Sequence, residues 1–161
     1  MRMLAFAAAA VVALAAPAFA QNASQIASVQ RGAACPGCNL FQADLARKEL
    51  RNRSYAGARL RQADLTAVTM PGANFAGADL RDVNAFGGLF TGANFANADL
   101  TNASFVGTYL QGARFSGANL SGVNFSGAEM DRATGLTQRQ LNGACGDAQT
   151  RLPRGLTLRP C

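Results

Sequence analysis

Large apolar residues recur at every fifth position from Leu40 to Met130, and this period constrains the fold more than any other feature of the chain. Nineteen such positions follow one another without a slip, and only Ala85 among them is small. A smaller residue, usually Ala, Val or Gly, stands two positions before most of them. Neither the 3.6-residue period of a helix nor the two-residue period of a strand fits this pattern. The backbone must therefore bend in every repeat and return each apolar pair to one interior.

A second period of twenty residues lies inside the first. One set of positions twenty apart is entirely leucine: Leu40, Leu60, Leu80, Leu100 and Leu120. Another set is entirely aromatic: Tyr55, Phe75, Phe95 and Phe115. Four repeats therefore make one circuit, and equivalent residues are expected to stack in columns.

The repeats resemble the pentapeptide-repeat family, whose pattern A-(D/N)-L-x-x is matched in five places. These are Ala43-Asp44-Leu45, Ala63-Asp64-Leu65, Ala78-Asp79-Leu80, Ala98-Asp99-Leu100 and Ala118-Asn119-Leu120. The resemblance implies an all-β solenoid, a right-handed four-sided parallel β-helix with both apolar residues of each repeat directed inward. Four repeats per circuit give nearly five coils, a rod about 23 Å tall.

Residues 1–20 have the features of a secretory signal peptide. Arg2 supplies the charge, an apolar run follows from Leu4 to Ala16, and Ala18-Phe19-Ala20 forms a small-residue cleavage site. The apolar run is too short to span a bilayer, so no transmembrane segment is expected. The pattern predicts cleavage after Ala20 and a mature protein that is periplasmic or secreted, with a net charge of about +5.

The remaining chain divides into an N-terminal cap at 21–37, the repeats at 38–132 and a C-terminal helical cap at 133–161. Asn22 or Ser24 is placed to cap a short N-terminal helix. In the C-terminal cap, Thr137 and Gln140 form a capping box, and the last ten residues are expected to run extended across that helix. This last part of the sequence resembles the C-terminal cap of exported bacterial pentapeptide-repeat proteins.

The four cysteines stand in pairs at the two ends of the predicted rod. In an oxidising compartment we expect a Cys145–Cys161 disulfide that closes the C-terminal cap. Cys35 and Cys38 lie too far from that pair to bond with it, so they either bond to one another or stay free thiols. A structural clip, a redox dithiol and a metal site are the open interpretations of this pair, although zinc would need further ligands. Haem attachment would require a histidine where Asn39 stands.

Nothing in the sequence indicates an enzyme. The chain has no histidine, which excludes catalytic triads with an imidazole base. Asp79 and Asp99 should lie about 5 Å apart on adjacent coils, as should Asp44 and Asp64, and such a spacing suits a retaining glycosidase. These positions are more typical of side chains that stabilise turns, and we expect Arg59 to balance part of the charge of Asp79. We therefore expect no catalytic residue, cofactor or bound metal.

Two outward surfaces depart from the small and polar rule. The first, here called the corner patch, consists of Phe86, Leu89, Val106 and Tyr109 and predicts contact with a protein partner or a second copy. The alternative is that Phe86 folds inward to fill the space beside Ala85.

The second outward surface, here called the basic patch, could bind anionic lipid or glycan. It consists of Arg47, Lys48, Arg51, Arg53, Arg59, Arg61 and Arg81. Lys48 and Arg53 occupy the small inward position of their repeats. The first coil, Leu40 to Tyr55, is therefore expected to be open or to let these long side chains reach outward.

Three functions follow from these features. The first is a non-enzymatic exported scaffold that binds a protein partner of unknown identity. The second is mimicry of DNA toward gyrase, as in family members that confer quinolone resistance, which the basic charge and the signal peptide oppose. The third is binding to an anionic envelope surface through the basic patch. Nucleic acid is not an expected partner.

Overall fold

The computed structural model describes residues 21–161, so the predicted signal peptide lies outside the described residues. Its named elements are two short helices and two short strands. They are α1 (Ala23–Gln30), α2 (Gln138–Leu141), β1 (Cys145–Gly146) and β2 (Arg159–Pro160). Between α1 and α2 the chain consists of turns that alternate with single-residue parallel bridges.

Parallel bridges join residues that are twenty apart along the whole repeat region, so each coil pairs with the next. One such ladder runs through Asp44, Asp64, Asn84, Ser104 and Asn124. Backbone hydrogen bonds link the coils: the amide of Leu60 donates to the carbonyl of Asp79 (2.8 Å), and that of Asp79 donates to Ala58 (2.9 Å). The twenty-residue register predicted from the sequence is therefore present in the structure, as a stack of coils with four turns each.

Every turn from Gly37 to Gly127 contains a residue with positive φ, which explains why glycine recurs two positions after the large apolar residue. In the turn after Leu60, Gln62 has φ 59° and the amide of Ala63 donates to the carbonyl of Leu60 (2.9 Å). A positive φ at the third residue is typical of a type II turn. Gly72 and Gly92 occupy the equivalent place in other turns without the strain that a side chain adds. The bend in every repeat thus has a local cause.

The interior is filled by the predicted columns, whose large residues are essentially inaccessible to solvent. The aromatic column is stacked face to face: ring centroids of Phe75 and Phe95 lie 5.2 Å apart with an interplanar angle of 5°, and those of Phe95 and Phe115 also lie 5.2 Å apart. Tyr55 begins this column, 5.5 Å from Phe75. Burial of these rings supplies apolar stabilisation in every coil.

The small residue Ala85 is compensated within its own coil by Phe90. The ring of Phe90 lies 5.7 Å from that of Phe105 and 5.9 Å from that of Phe95. A Cβ atom on Gly88 would stand 2.5 Å from the Phe90 ring, so glycine at position 88 makes room for it. The space that Ala85 leaves in the core is therefore filled by a side chain from the adjacent face of the coil.

The first coil is closed. Leu40 donates to the carbonyl of Arg59 (2.8 Å), and bridges join Glu49 to Thr69 in the next coil. Lys48 is half-buried and Arg53 is exposed, so both long side chains reach outward from a complete coil. Of the two predicted arrangements, the structure has the outward one.

Helix α1 covers the start of the stack. The side chain of Asn22, its N-cap, accepts a hydrogen bond from the amide of Gln25 (3.1 Å), as one of the two predicted caps. Val29 is fully buried against the core, and Ile26 packs beside it.

At the other end the chain extends the ladders beyond the last repeat. Cys145 bridges to Asn124, and β2 then pairs in parallel with β1, so the ladder that begins at Asp44 continues to Arg159. Helix α2 has the predicted capping box between Thr137 and Gln140. Gln138 of α2 hydrogen-bonds both backbone groups of Thr157, which shows that the last residues cross the helix. None of the helices in residues 21–161 has the length and apolar character that crossing a membrane requires.

Candidate functional site

The corner patch lies where two faces of the stack meet, on two neighbouring coils. Leu89 and Tyr109 are bridge partners, so their side chains stand side by side on the outer wall. Phe86 is 54% exposed, Tyr109 44% and Leu89 38%, and Val106 is half-buried. These three are the large hydrophobic residues exposed in residues 21–161. The structure thus brings the four predicted residues to one part of the surface.

Phe86 points to solvent, which corrects the alternative that it fills the space beside Ala85. Phe90 does so instead, from the next repeat. The sequence carried a signal that Phe90 would fill this space, because Gly88 occupies the small inward position two residues before Phe90. Because Gly88 has no side chain, the Phe90 ring can occupy the space beside it, and a close-packed core then has no room for Phe86.

Polar groups border the corner patch. Thr69 bridges to Leu89 on one side, and Glu129 bridges to Tyr109 on the other. Glu129 is engaged by Gln111 (3.4 Å) and lies 3.8 Å from a guanidinium nitrogen of Arg151. An apolar centre with a hydrogen-bonded polar border is the usual composition of a protein-binding surface.

The basic patch is smaller in the structure than in the sequence. Arg61 pairs with Asp82 (3.2 Å), and Arg81 pairs with both Asp79 (2.7 Å) and Asp99 (3.7 Å). Arg51 lies 4.0 Å from Glu49, where both side chains are exposed. Within residues 21–161, Arg47, Lys48 and Arg53 form no ion pair. These three cations therefore form the part of the patch whose charge no carboxylate balances.

Tyr55 stands at the start of the aromatic column, two residues after Arg53. Burial raises the pKa of Tyr55 to about 12, and the nearby guanidinium of Arg53 opposes part of that rise. Its hydroxyl donates to the carbonyl of Ala33 (3.4 Å). The phenol is therefore neutral at physiological pH and serves the core.

The carboxylate pairs have the geometry of turn residues. Asp44 and Asp64 each accept a hydrogen bond from the amide two residues on, at 3.1 Å and 2.9 Å. Hydrogen bonds from the Arg81 side chain hold the pKa of Asp79 below its ordinary value. Arg81 is thus an ion-pair partner of Asp79, and Arg59 is the bridge partner of Asp79 in the neighbouring coil, in the column that the sequence predicted. An ionised, ion-paired Asp79 cannot act as the general acid of a glycosidase pair.

The cysteines form two disulfides, Cys35–Cys38 and Cys145–Cys161, with Cα atoms 5.5 Å and 4.9 Å apart. The question of whether Cys35 and Cys38 are bonded or free is thereby answered for this structure. In the part of the chain that the structure describes, no group of three His, Cys, Asp or Glu residues is placed to hold a metal ion.

Sequence reasoning missed a set of glutamine side chains that cap backbone groups at both ends of the stack. The amide of Asn39 donates to the side-chain oxygen of Gln25 (2.8 Å), and Gln30 donates to the carbonyl of Asp44 (2.8 Å). At the other end Gln140 donates to the carbonyls of Phe115 and Ala118, both at 2.9 Å. These glutamines lie outside the repeats, so no periodic pattern in the sequence predicts their capping hydrogen bonds.

A family model described as pentapeptide repeats matches the chain with eight copies, over residues 58–85 and 89–127. Among solved structures, the chain is similar to a pentapeptide repeat protein from the thylakoid lumen of Arabidopsis thaliana. Identity is 25%, the TM-score is 0.53, and the match covers 73% of this chain and 82% of that one. It also matches QnrB1, a plasmid-mediated fluoroquinolone resistance protein, with 21% identity, a TM-score of 0.47 and 76% of each chain covered. No curated protein sequence matches the chain.

Proposed function

Since this chain is a pentapeptide-repeat protein, we propose that it is an exported, non-enzymatic scaffold whose corner patch binds a protein partner. The coils wind in the right-handed, four-sided sense of the family, with 21–37 and 133–161 as caps of a rod at 38–132. Export is supported by the signal-like residues 1–20 and by two disulfides, which persist in oxidising compartments. One similar protein comes from the thylakoid lumen.

The exposure of Phe86, Leu89 and Tyr109 is the observation that carries the proposal. Phe86 is directed outward although a small core residue, Ala85, stands next to it in the chain. These side chains therefore keep a large part of their apolar area outside the core, where it is open to solvent or to a partner. Aromatic residues at the centre of a polar border are typical of the residues that dominate binding energy.

Capture of partners by the oxidised protein tests this proposal. The wild type is immobilised beside a Phe86→Ser/Tyr109→Ser double variant and beside Arg114→Ser, which changes an exposed residue on another face. We expect the double variant to lose the partners that wild type and Arg114→Ser retain. Equal capture by all three proteins would refute the role of the corner patch, and sedimentation at several concentrations separates self-association from binding of another protein.

Binding to an anionic envelope surface is a second candidate, supported by the unbalanced charge of Arg47, Lys48 and Arg53. Vesicles with and without anionic lipid give the test, because such binding falls as salt screens the charges. The triple change of these residues to Ser should abolish vesicle binding, whereas Arg114→Ser should not. Binding that ignores salt would exclude this candidate.

DNA mimicry toward gyrase is not supported by the charge. A mimic of DNA presents an acidic surface, and this chain carries fifteen basic residues against nine acidic ones. Several of its carboxylates, including Asp79 and Asp82, are neutralised by arginine in the structure.

A further inference from the structure

The last ten residues, 152–161, form a strap across the C-terminal end of the stack. Arg151 is the last residue bonded into a coil on both sides: its amide donates to the carbonyl of Ala128, and its carbonyl accepts from Met130, each at 2.9 Å. Beyond it the chain leaves the coil, crosses α2 and returns as β2. The terminal strap therefore begins where the fixed coils end.

The terminal strap is held by hydrogen bonds along its length, among them those between Thr157 and Gln138 of α2. The amide of Cys161 donates to the carbonyl of Gly146 (3.0 Å), and the Arg159 side chain donates to the carbonyl of Ala144 (3.2 Å). Both residues of β2 are exposed, and no residue of the strap is fully buried. Its leucines are half-buried against the core. The Cys145–Cys161 disulfide ties the end of this segment covalently to β1.

The disulfide is accessible from solvent. Cys161 is exposed, whereas Cys145 is half-buried. An open concavity of about 570 Å³ lies beside it, lined in part by Asp147, Leu158 and Pro160. Cys161 is one of the residues that line this concavity, so its disulfide lies next to a space that is open to small thiols such as glutathione.

Removal of the terminal strap would expose the outer edge of β1, and that edge is specific for one segment. It pairs in parallel with Arg159–Pro160 and places a cysteine with its Cα 4.9 Å from that of Cys145. Residues 152–161 satisfy both requirements, in this copy or in another. Ten extended residues span about 33 Å, which is enough to reach a second copy at the same end of its stack.

We propose that the β1 edge is a binding surface for the terminal strap of a second copy, opened by a small-molecule thiol. The thiolate of glutathione attacks Sγ of Cys161 and forms a mixed disulfide, and Cys145 departs as a thiolate. A second glutathione opens the disulfide of a second copy in the same way, and the Cys145 thiolate of that copy then attacks Sγ of this Cys161, forms the interchain disulfide and releases the glutathione thiolate. Electrons balance without another oxidant, and the product is a strand-exchanged dimer.

An isotope-mixing experiment tests the exchange. Oxidised protein with ¹⁵N and oxidised protein without it are mixed at several concentrations in a buffer of reduced and oxidised glutathione, then quenched by alkylation. Trypsin cleaves after arginine except before proline, so it releases Cys145 within residues 140–151 and Cys161 within residues 155–161. We expect a covalent dimer that increases with concentration and contains the 140–151 peptide of one isotope bonded to the 155–161 peptide of the other.

Two controls isolate the surface. Protein that never meets glutathione should remain monomeric, and a Cys35→Ser/Cys38→Ser variant should still dimerise. Monomers at every concentration would overturn the proposal. So would dimers whose mixed-isotope peptides contain Cys35 or Cys38 in place of Cys145 and Cys161, and this mapping decides the matter in the wild type even where a variant fails to fold.

Discussion

The two ends of the stack are closed by different means. At the N-terminal end a separate helix, α1, lies over the first coil, and its glutamine side chains bond the exposed backbone groups. At the C-terminal end the ladder continues through Cys145 to Arg159, so each added strand creates a new edge. An open strand edge can pair with a further strand, including one from another molecule. Pro160 and the disulfide of Cys161 limit such pairing here.

Because of this difference, we expect the stability of the two ends to depend unequally on their disulfides. The disulfide at the N-terminal end joins cysteines three residues apart in the sequence, whereas the disulfide at the C-terminal end joins cysteines sixteen residues apart. The helix at the first end is eight residues long and the helix at the second is four. We therefore expect most perturbations to act more strongly at the C-terminal end.

The largest effect is expected from Leu141→Ala, which empties a fully buried position in α2. Its cost should be about 2–5 kcal/mol, as for other buried leucines. Val29→Ala at the opposite end removes two methyl groups and should cost about 1.6 kcal/mol. Urea unfolding measures both, with exposed Arg139→Ala as the control. An equal loss of free energy of unfolding in Val29→Ala and Leu141→Ala would contradict the expected difference between the two ends.

Loss of the disulfides should rank next and in the same order. Cys145→Ser/Cys161→Ser should lower the free energy of unfolding by about 3 kcal/mol, because that bridge closes the longer loop. Cys35→Ser/Cys38→Ser should lower it by about 2 kcal/mol. Denaturant titration of the two variants under oxidising conditions gives both values, and the reverse order would show that the N-terminal clip matters more than its loop length implies.

The glutamine caps provide a smaller and matched comparison. Gln140→Ala removes two hydrogen bonds, to the carbonyls of Phe115 and Ala118, together with the capping box of α2, and should cost about 2 kcal/mol. The carbonyl of Phe115 keeps the amide of Ala118 as a donor. Gln25→Ala removes one hydrogen bond, from the amide of Asn39, and should cost about 1 kcal/mol. The exposed Gln149→Ala serves as the control. Equal costs for Gln140→Ala and Gln149→Ala would mean that water replaces the side-chain amide.

The smallest expected effect is the part of the pH dependence that Asp147 contributes at the C-terminal end. Hydrogen bonds from the amides of Gly127, Gln149 and Thr150 hold the pKa of Asp147 below its ordinary value. A lowered pKa in the folded state adds stability above the unfolded pKa of about 3.8, and this stability is lost as pH falls through the folded pKa. The wild type should therefore lose more of its melting temperature between pH 6 and about 3 than Asp147→Asn does. Parallel losses in the two proteins would contradict the role of this carboxylate.

The periodic part of the fold could be predicted from sequence, because each repeat states the same physical requirement again. Leu80 and Phe75 are where the twenty-residue columns place them, and the caps at Asn22 and Thr137 carry local signals. The C-terminal ladder could not be predicted in register. Asn124 pairs with Cys145 and Glu129 with Arg151, so the spacing departs from twenty once α2 is inserted.

The corner patch was predictable as a set of outward positions, since Phe86 and Leu89 violate the polar rule of their columns. Its alternative could be decided only by three-dimensional packing, because the volume beside Ala85 is filled by Phe90 from another face. Charge pairing was likewise out of reach: Arg81 meets Asp79 two residues before it in the chain, and side-chain conformation decides such a contact.

The aromatic column and the corner patch together give this protein two built-in fluorescent reporters. Tyr55 and Tyr109 are its only tyrosines, and it has no tryptophan. Tyr55 is sealed in the core beside stacked phenylalanines, while Tyr109 stands on the proposed binding surface. A dissolved quencher such as iodide should therefore dim Tyr109 alone, and a partner that covers the corner patch should restore its emission without any label.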